Sequence, residues 1–281
     1  MYIHNHNTNK KVAIINDFSG FGRCSLTVAI PIVSYLGVQA CPIPTAIFSN
    51  HTGYSSFYCK DLTQDLPAYI QEWQKLNLHF DGISSGFLGS VYQIDTVIEY
   101  IKHFKACDTK VVVDTVMGDN GKIYPTYTTD MCKRMIDLLQ YSDVITPNVT
   151  EACFLTDTPY KPDGWTNAEL LQMVDRLHQY GAKQVVVSGI LDGDYISNAV
   201  SSRPNSIEYV TRKRFGSTRS GTGDIFTAIV LADTVNGVPL YHSVERSADY
   251  VRQCIKVTER YHVPPTDGVC FEEVLHTLPL R

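Results

Sequence analysis

The run RSGTGDIFTAIVLA, Arg219 to Ala232, sets Gly221, Thr222 and Gly223 directly before Asp224 and an apolar stretch with helical spacing at Ile225, Phe226, Ile229 and Val230. A glycine-rich turn that opens a helix offers free N–H groups and the positive end of the helix dipole, and such ends collect anions. N–H donors placed there can stabilise the charge of a phosphoryl group in transit. Asp224 beside them can take a proton from an attacking alcohol, which is general-base work. The sequence has no G-x-x-x-x-G-K-[ST] phosphate loop and no H-R-D catalytic loop. The chemistry that remains is that of a small-molecule kinase of another kind.

Further carboxylates fall at strand exits. KVVVD ends in Asp114 and runs into TVMGDNG, which carries Asp119; hard oxygens in such a loop suit Mg²⁺, with a solvated turn as the plain alternative. In TPNVTEACFL, Asn148 and Glu151 stand three apart before an apolar run, the pattern of a helix N-cap with a reciprocal glutamate. Glu151 could also orient Mg²⁺ or phosphate. The segment PIPTAIFSNHTGYSSFY (42–58) is too polar and aromatic for a core strand and too long for a turn. Its Phe48, His51, Thr52 and Tyr54 could hold a planar ligand, or its aromatics could form a dimer contact.

Two motifs are set aside. NDFSGFGR (16–23) continues as G-x-G-x-x-S, without the third glycine or the later acidic residue of a dinucleotide site, so Asp17 becomes a candidate ligand contact instead. GISSG (82–86) has the letters of a nucleophile elbow at Ser84, but the helical pattern starts too late for the required strand-to-helix turn.

These residues need a scaffold that brings strand exits together. Short apolar runs at 11–16, 80–86, 110–114, 143–147 and 183–189 alternate with amphipathic stretches near 22–36, 62–77, 90–105, 129–141 and 166–180. Strands apolar on both faces and separated by helices predict an α/β fold, a doubly wound and mostly parallel sheet with helices on both sides. Runs at 195–200 and 206–212 predict a hairpin at a sheet edge. Ligands in this architecture bind outside the carboxyl ends of the strands. The expected organisation is a flexible tail over 1–10, where His4 and His6 stand, followed by a single domain over 11–281.

With 281 residues, 44% hydrophobic and 19% charged, the composition is that of an ordinary globular protein. A net charge of −5 gives no basic face for nucleic acid. Eight scattered cysteines without a C-x-x-C pair argue against zinc or a disulfide framework, and no apolar stretch suits a membrane span or a signal peptide. A reducing cytoplasm is the expected compartment.

With these motifs assembled, the chain from about residue 12 to about 260 resembles the pyridoxal or pyridoxamine (vitamin B6) kinases of the ribokinase-like superfamily. FSNHTGY (48–54) resembles their substrate segment, VVVDTVMGD their Asp-Pro-Val-Met-Gly-Asp loop, ITPNVTEACFL their Thr-Pro-Asn-x-x-Glu segment, and SGTGDIF their anion hole and base. The resemblance implies ATP-dependent phosphorylation of the 5′-hydroxymethyl group of a B6 vitamer. Asp224 would be the base, and Gly221, Thr222 and Gly223 the anion hole. It implies that Asp114, Thr146, Asn148 and Glu151 face ATP and Mg²⁺, that Ser188 faces the nucleotide, and that Asp17, Thr52, His51 and Phe87 contact the vitamer. It further implies a homodimer and help from a monovalent cation such as K⁺. The chain departs from the pattern at Thr115, where proline is usual, and at Asp17, where many pyridoxal kinases carry serine. A carboxylate there favours a protonated amine or ring nitrogen, bringing pyridoxamine and pyridoxine into competition with pyridoxal. Hydroxymethylpyrimidine kinases, which share base and anion hole, are the nearest alternative; a non-catalytic B6-binding protein is the alternative of another class.

Overall fold

The structure, a computed structural model, describes residues 6–279, so His4 of the expected tail lies outside the described residues. In chain order the strands are β1 (Lys11–Ser19), β2 (Gln39–Phe48), β3 (Cys59–Asp61), β4 (Gly82–Ser85), β5 (Lys110–Val113), β6 (Gly118–Asp119), β7 (Lys122–Ile123), β8 (Val144–Ile145), β9 (Gln184–Asp192), β10 (Tyr195–Ser201) and β11 (Glu208–Lys213). The α-helices are α1 (Leu26–Tyr35), α2 (Leu66–Lys75), α3 (Val91–Phe104), α4 (Thr129–Leu139), α5 (Val149–Thr156), α6 (Asn167–Gln179), α7 (Thr222–Val235) and α8 (Leu240–Arg260).

Nine strands form one sheet in the order β11-β10-β9-β8-β5-β4-β1-β2-β3, and β6 pairs only with β7. The six strands from β9 to β2 in that order are parallel, while β3, β10 and β11 close the two edges antiparallel. The mostly parallel, doubly wound sheet and the edge hairpin expected at 195–212 are both present.

Strand periodicity explains why both faces are covered. In β1, Val12 and Ile14 enter one buried cluster and Ala13 and Ile15 the other; β5 and β9 repeat the alternation around Val112 and Val186. One cluster is completed by α1, α7 and α8, the other by α2 to α6. In α7, every residue from Ile225 to Asp233 is buried, as expected of a helix that is apolar all round. That burial fixes the helix whose first turn carries Asp224.

Two boundaries differ from expectation. The segment 42–58 was expected outside the strands, but its first seven residues are the end of β2. Pro42 and Pro44 lie where β2 has only β1 beside it, because β3 pairs solely with Ala46, Ile47 and Phe48. Prolines two apart leave both missing N–H groups on one side of the strand, which an open edge tolerates. The first strand also runs to Ser19, which places Asp17 within β1 rather than in a loop beyond it. Near the start of the chain, Asn7 accepts from the His79 N–H (2.8 Å) and donates to the Asn77 carbonyl (3.2 Å).

Candidate active site

The carboxyl ends of β1, β4, β5 and β8 meet the first turn of α7. Asp224 is half-buried there, its Oδ1 accepting from Asn16 Nδ2 at 3.3 Å and its carboxylate accepting from the Ser25 N–H. Gly221 caps the helix in the left-handed conformation at φ 78°, and Gly223 lies exposed one residue before Asp224. The N–H groups of this first turn have no intrahelical acceptor.

The segment that presents the Ser25 N–H is strained. Arg23 and Ser25 have φ of 45° and 55°, values L-residues rarely adopt, each costing on the order of 1–3 kcal/mol. Ser25 is used twice: besides its N–H, its hydroxyl donates to Asp17 Oδ1 at 2.6 Å. Ser19 donates to the other Asp17 oxygen at 2.8 Å. Asp17 is 5% exposed, so its carboxylate is engaged by protein hydroxyls rather than presented to a ligand.

Asp114, at the exit of β5, accepts from Thr227 Oγ1 at 3.0 Å, and that hydroxyl lies 3.0 Å from Thr146 Oγ1. Glu151 and Asn148 form the expected capping box, the Glu151 N–H donating to Asn148 Oδ1 (3.0 Å) and the Asn148 N–H to Glu151 Oε2 (2.9 Å). The Met117 N–H donates to Oε1 at 3.1 Å. Both Glu151 oxygens are therefore in use, and the plain reading of this motif describes its local structure. Asn148 also donates to the Gly118 carbonyl at 2.8 Å, fastening the β6–β7 hairpin over the exit of β5. Asp119 is turned back on its own loop by the Asn120 N–H and side-chain amide. Ser188 sits in β9 beside Asn148, its N–H donating to the Pro147 carbonyl at 2.9 Å. Among the described residues no group of three or more His, Cys, Asp or Glu side chains is gathered as a metal cage, so Asp114, Asp119 and Glu151 do not make one.

The carboxylates act on one another. Burial first, and the charge of Asp224 second, push Asp17 up to about 6 against its hydroxyl hydrogen bonds. Burial and Asp224 also raise Asp114; burial and Asp114 raise Glu151. Burial raises Asp224 itself, opposed by its hydrogen bonds and by His51. Asp17 stays neutral in the fold up to higher pH than in the unfolded chain. Its contribution to stability is complete below about pH 4 and is lost as pH rises through about 6. The loss is on the order of 3 kcal/mol at one pKa unit per 1.36 kcal/mol. Asp17→Asn is therefore expected to raise the melting temperature at pH 7.5 and to leave it little changed near pH 4. Thermal unfolding at the two pH values checks the sign; destabilisation at pH 7.5 would refute it.

The 49–58 loop closes beside this cluster. His51 Nε2 lies 2.6 Å from the Thr266 carbonyl while Nδ1 accepts from the Gly53 N–H at 3.1 Å, so both ring nitrogens are engaged. Tyr54 packs on His51 at 4.8 Å between ring centroids. Thr52 is half-buried in the same loop, and Phe87, also half-buried, packs edge-on against Phe48 and Tyr127. Ser84 is 4% exposed within β4, far from an elbow geometry.

Sequence reading passed over Asn16, Ser25 and Thr227, the three side chains or N–H groups that hold Asp224 and Asp114. A signal for Thr227 exists, a polar residue inside the otherwise apolar stretch 225–232 of α7. For Asn16 and Ser25 none does, because their partners lie elsewhere in the chain.

A family model described as phosphomethylpyrimidine kinase matches residues 30–268. The pyridoxal kinase of Dictyostelium discoideum is 26% identical over 239 residues, covering 79% of this chain and 77% of its own. A Bacteroides thetaiotaomicron protein provisionally assigned as a phosphomethylpyrimidine kinase, crystallised with pyridoxal, is 39% identical and superposes with a TM-score of 0.91 over 96% of each chain. Pyridoxal kinase from Lactobacillus plantarum superposes with a TM-score of 0.88 over 97% of each chain at 27% identity.

Proposed function

The chain belongs to the phosphomethylpyrimidine kinase family, and from that premise we propose that it transfers the γ-phosphoryl group of ATP to the 5′-hydroxymethyl oxygen of a vitamin B6 vitamer. The observation that carries the reading is Asp224, a carboxylate held by Asn16 and Ser25 in a helix first turn, where N–H groups without intrahelical acceptors favour an anion. Relatives from several organisms described as pyridoxal kinases, and pyridoxal in the 39% identical structure, support the vitamer over hydroxymethylpyrimidine. A pure vitamer-binding protein would have no use for a carboxylate base in the first turn of such a helix.

In this reading Asp224 accepts the proton of the acceptor hydroxyl as its oxygen attacks in line. The first-turn N–H groups of α7, Thr222 and Gly223 among them, stabilise the charge that moves across the phosphoryl group. Asn16 and Ser25 hold the base in place, so the attacking alcohol meets it with little reorganisation. Asp17 is assigned to the support of this segment through Ser25, and His51 to holding the acceptor loop, with Thr52 and Phe87 facing the vitamer.

Mg²⁺ fits the donor set. Beyond burial, Asp224 raises Asp17 and Asp114, and Asp114 raises Glu151, so these carboxylates disfavour one another's ionised form, which a cation would offset. Mg²⁺ commonly uses one or two carboxylates, waters and substrate phosphates. Asp114 would hold it, with Glu151 behind it, and Asn148, Thr146 and Ser188 would lie toward the nucleotide. Bound there, the ion would neutralise phosphate charge.

Among the described residues no helix is long and apolar enough to cross a membrane. We assign the protein to the cytoplasm on its free cysteines, which include buried Cys24, Cys132, Cys153, Cys254 and Cys270. A homodimer is proposed through the β2–β3 edge, where Ile47 (44% exposed), Phe57 (42%) and Tyr58 (65%) lie open. Sedimentation of the wild-type chain against Tyr58→Asp, expected to shift from dimer to monomer, checks that surface.

A coupled ATPase assay across pyridoxal, pyridoxamine, pyridoxine and hydroxymethylpyrimidine tests the function. A B6 vitamer is expected to exceed hydroxymethylpyrimidine in kcat/KM by about tenfold or more, the factor for about 1.4 kcal/mol of discrimination. Turnover of hydroxymethylpyrimidine alone would overturn the substrate. The same assay in K⁺ against Li⁺ tests monovalent-cation assistance. Because the base must be ionised and burial raises Asp224, kcat/KM is expected to climb with pH through a midpoint above the usual carboxylate value of about 4. A flat profile between pH 4.5 and 7 would remove that assignment.

A further inference from the structure

The turn at residues 263–267 belongs to neither loop of the proposed site, yet both hang from it. Arg219, two residues before the helix cap Gly221, donates through Nη1 to the carbonyls of Val263 (2.8 Å) and Pro264 (3.3 Å). The Ser220 N–H points to the Pro265 carbonyl at 3.5 Å. One peptide further on, the Thr266 carbonyl takes the His51 ring at 2.6 Å and the Tyr54 hydroxyl at 3.1 Å. Tyr54 also donates to Asp267 Oδ1 at 2.8 Å, and Arg23 Nη1 donates to the Asp267 carbonyl at 3.2 Å.

Consecutive carbonyls of one short turn therefore accept from the anion-binding loop, the acceptor loop and the strained segment that leads to Ser25. Pro264 and Pro265 suit this use, since proline fixes φ and has no N–H, leaving these positions as acceptors only. Arg219 is 6% exposed and is itself fixed by Glu259, Nη2 to Oε1 at 3.0 Å. Peptide planes are rigid, so moving the Thr266 carbonyl moves its neighbours. A shift in the acceptor loop must then reach the helix end that carries Asp224.

We propose that the 263–267 turn positions the anion-binding loop and the acceptor loop against each other, with Arg219 and Tyr54 as the positioning residues on either side. The proposal rests on the phosphoryl-transfer reading for what the two loops bind; the hydrogen bonds that carry it do not depend on that reading. Neither residue is assigned contact with the reacting atoms. Each acts by tying a loop to the turn, and such coupling is reciprocal.

The test is hydrogen exchange on the full, ligand-free chain. Tyr54→Phe keeps the ring and removes only the hydroxyl. It is expected to speed exchange in the peptide spanning 219–225 by about 2–10-fold, the equilibrium factor of one net hydrogen bond, with exchange in α3 unchanged. Arg219→Gln is expected to do the converse, loosening 49–58. If Tyr54→Phe loosens 49–58 alone, or speeds 219–225 and α3 together as a general loss of stability would, the proposal is overturned. Phosphorylation of pyridoxal by the wild-type chain is scored separately, so a failure of the functional reading leaves the exchange result interpretable.

Discussion

Asp224→Asn is expected to lower kcat by about 10²–10⁴-fold, the range for loss of a positioned general base. The amide has the shape of the carboxylate and its oxygen can still accept from Asn16 Nδ2, so the site should keep most of its geometry. What it loses is the ability to take a proton. KM for ATP should change little, because the helix N–H groups remain. The variant should also melt no lower than the wild type at pH 7.5, since it removes a charge that burial disfavours. Steady-state formation of the 5′-phosphate, together with thermal unfolding, separates these effects. Turnover near that of the wild type, in protein with unchanged melting, would withdraw the base from Asp224.

Gly221→Ala is expected to be the most damaging small substitution in the loop that opens α7. At φ 78° alanine is strained, and its Cβ would lie 1.9 Å from the Arg23 carbonyl oxygen. That oxygen cannot move aside cheaply. Arg23 has φ 45° and is pinned by Glu272 (2.8 Å) and by the Asp267 carbonyl (3.2 Å). Either the first turn of α7 shifts or the chain loses on the order of 2–4 kcal/mol from left-handed strain and overpacking. A displacement of about 1 Å at the helix end is enough for roughly 10² in kcat/KM. Gly223→Ala is the informative contrast, because nothing lies within 4 Å of the Cβ it would add and its φ is not in the left-handed region. It should melt at or above the wild-type temperature, as alanine favours a helix over glycine by up to about 1 kcal/mol. Lost activity in this stable variant would mean that the phosphoryl group approaches this backbone. Full activity would place the anion elsewhere on the helix end.

Much of the frame was legible because it is written in local pattern. Within the runs KVAIIN, KVVVD and KQVVVSG, residues 12–15, 111–113 and 185–187 are apolar on both faces of the sheet, as a strand covered on both faces requires. The Asn148–Glu151 capping box joins residues three apart and was readable for the same reason. The end of β2 was not, since Pro42 and Pro44 argue against a strand until it is known that β3 leaves that stretch open. The long helix α8 also escaped notice: with Leu240, Val244, Tyr250 and Cys254 buried, its apolar face is broken by Ser243, Ser247 and Thr258, which the fold buries beside them.

The same division runs through the site. By itself the sequence determined that the chain alternates strands and helices, and that Gly221 to Asp224 open a helix with a carboxylate in its first turn, because helix caps and periodicity are properties of neighbouring residues. Only the tertiary structure decided which carboxylates remain available. Asn16 and Asp224 are 208 residues apart in the chain and 3.3 Å apart in the fold. Whether a carboxylate oxygen is free for chemistry depends on donors from other segments: Ser19 and Ser25 occupy Asp17, and the Met117 and Asn148 N–H groups occupy Glu151. Asp224 also accepts from Asn16 and the Ser25 N–H, but differs from them in being only half-buried, at a helix end beside exposed Gly223.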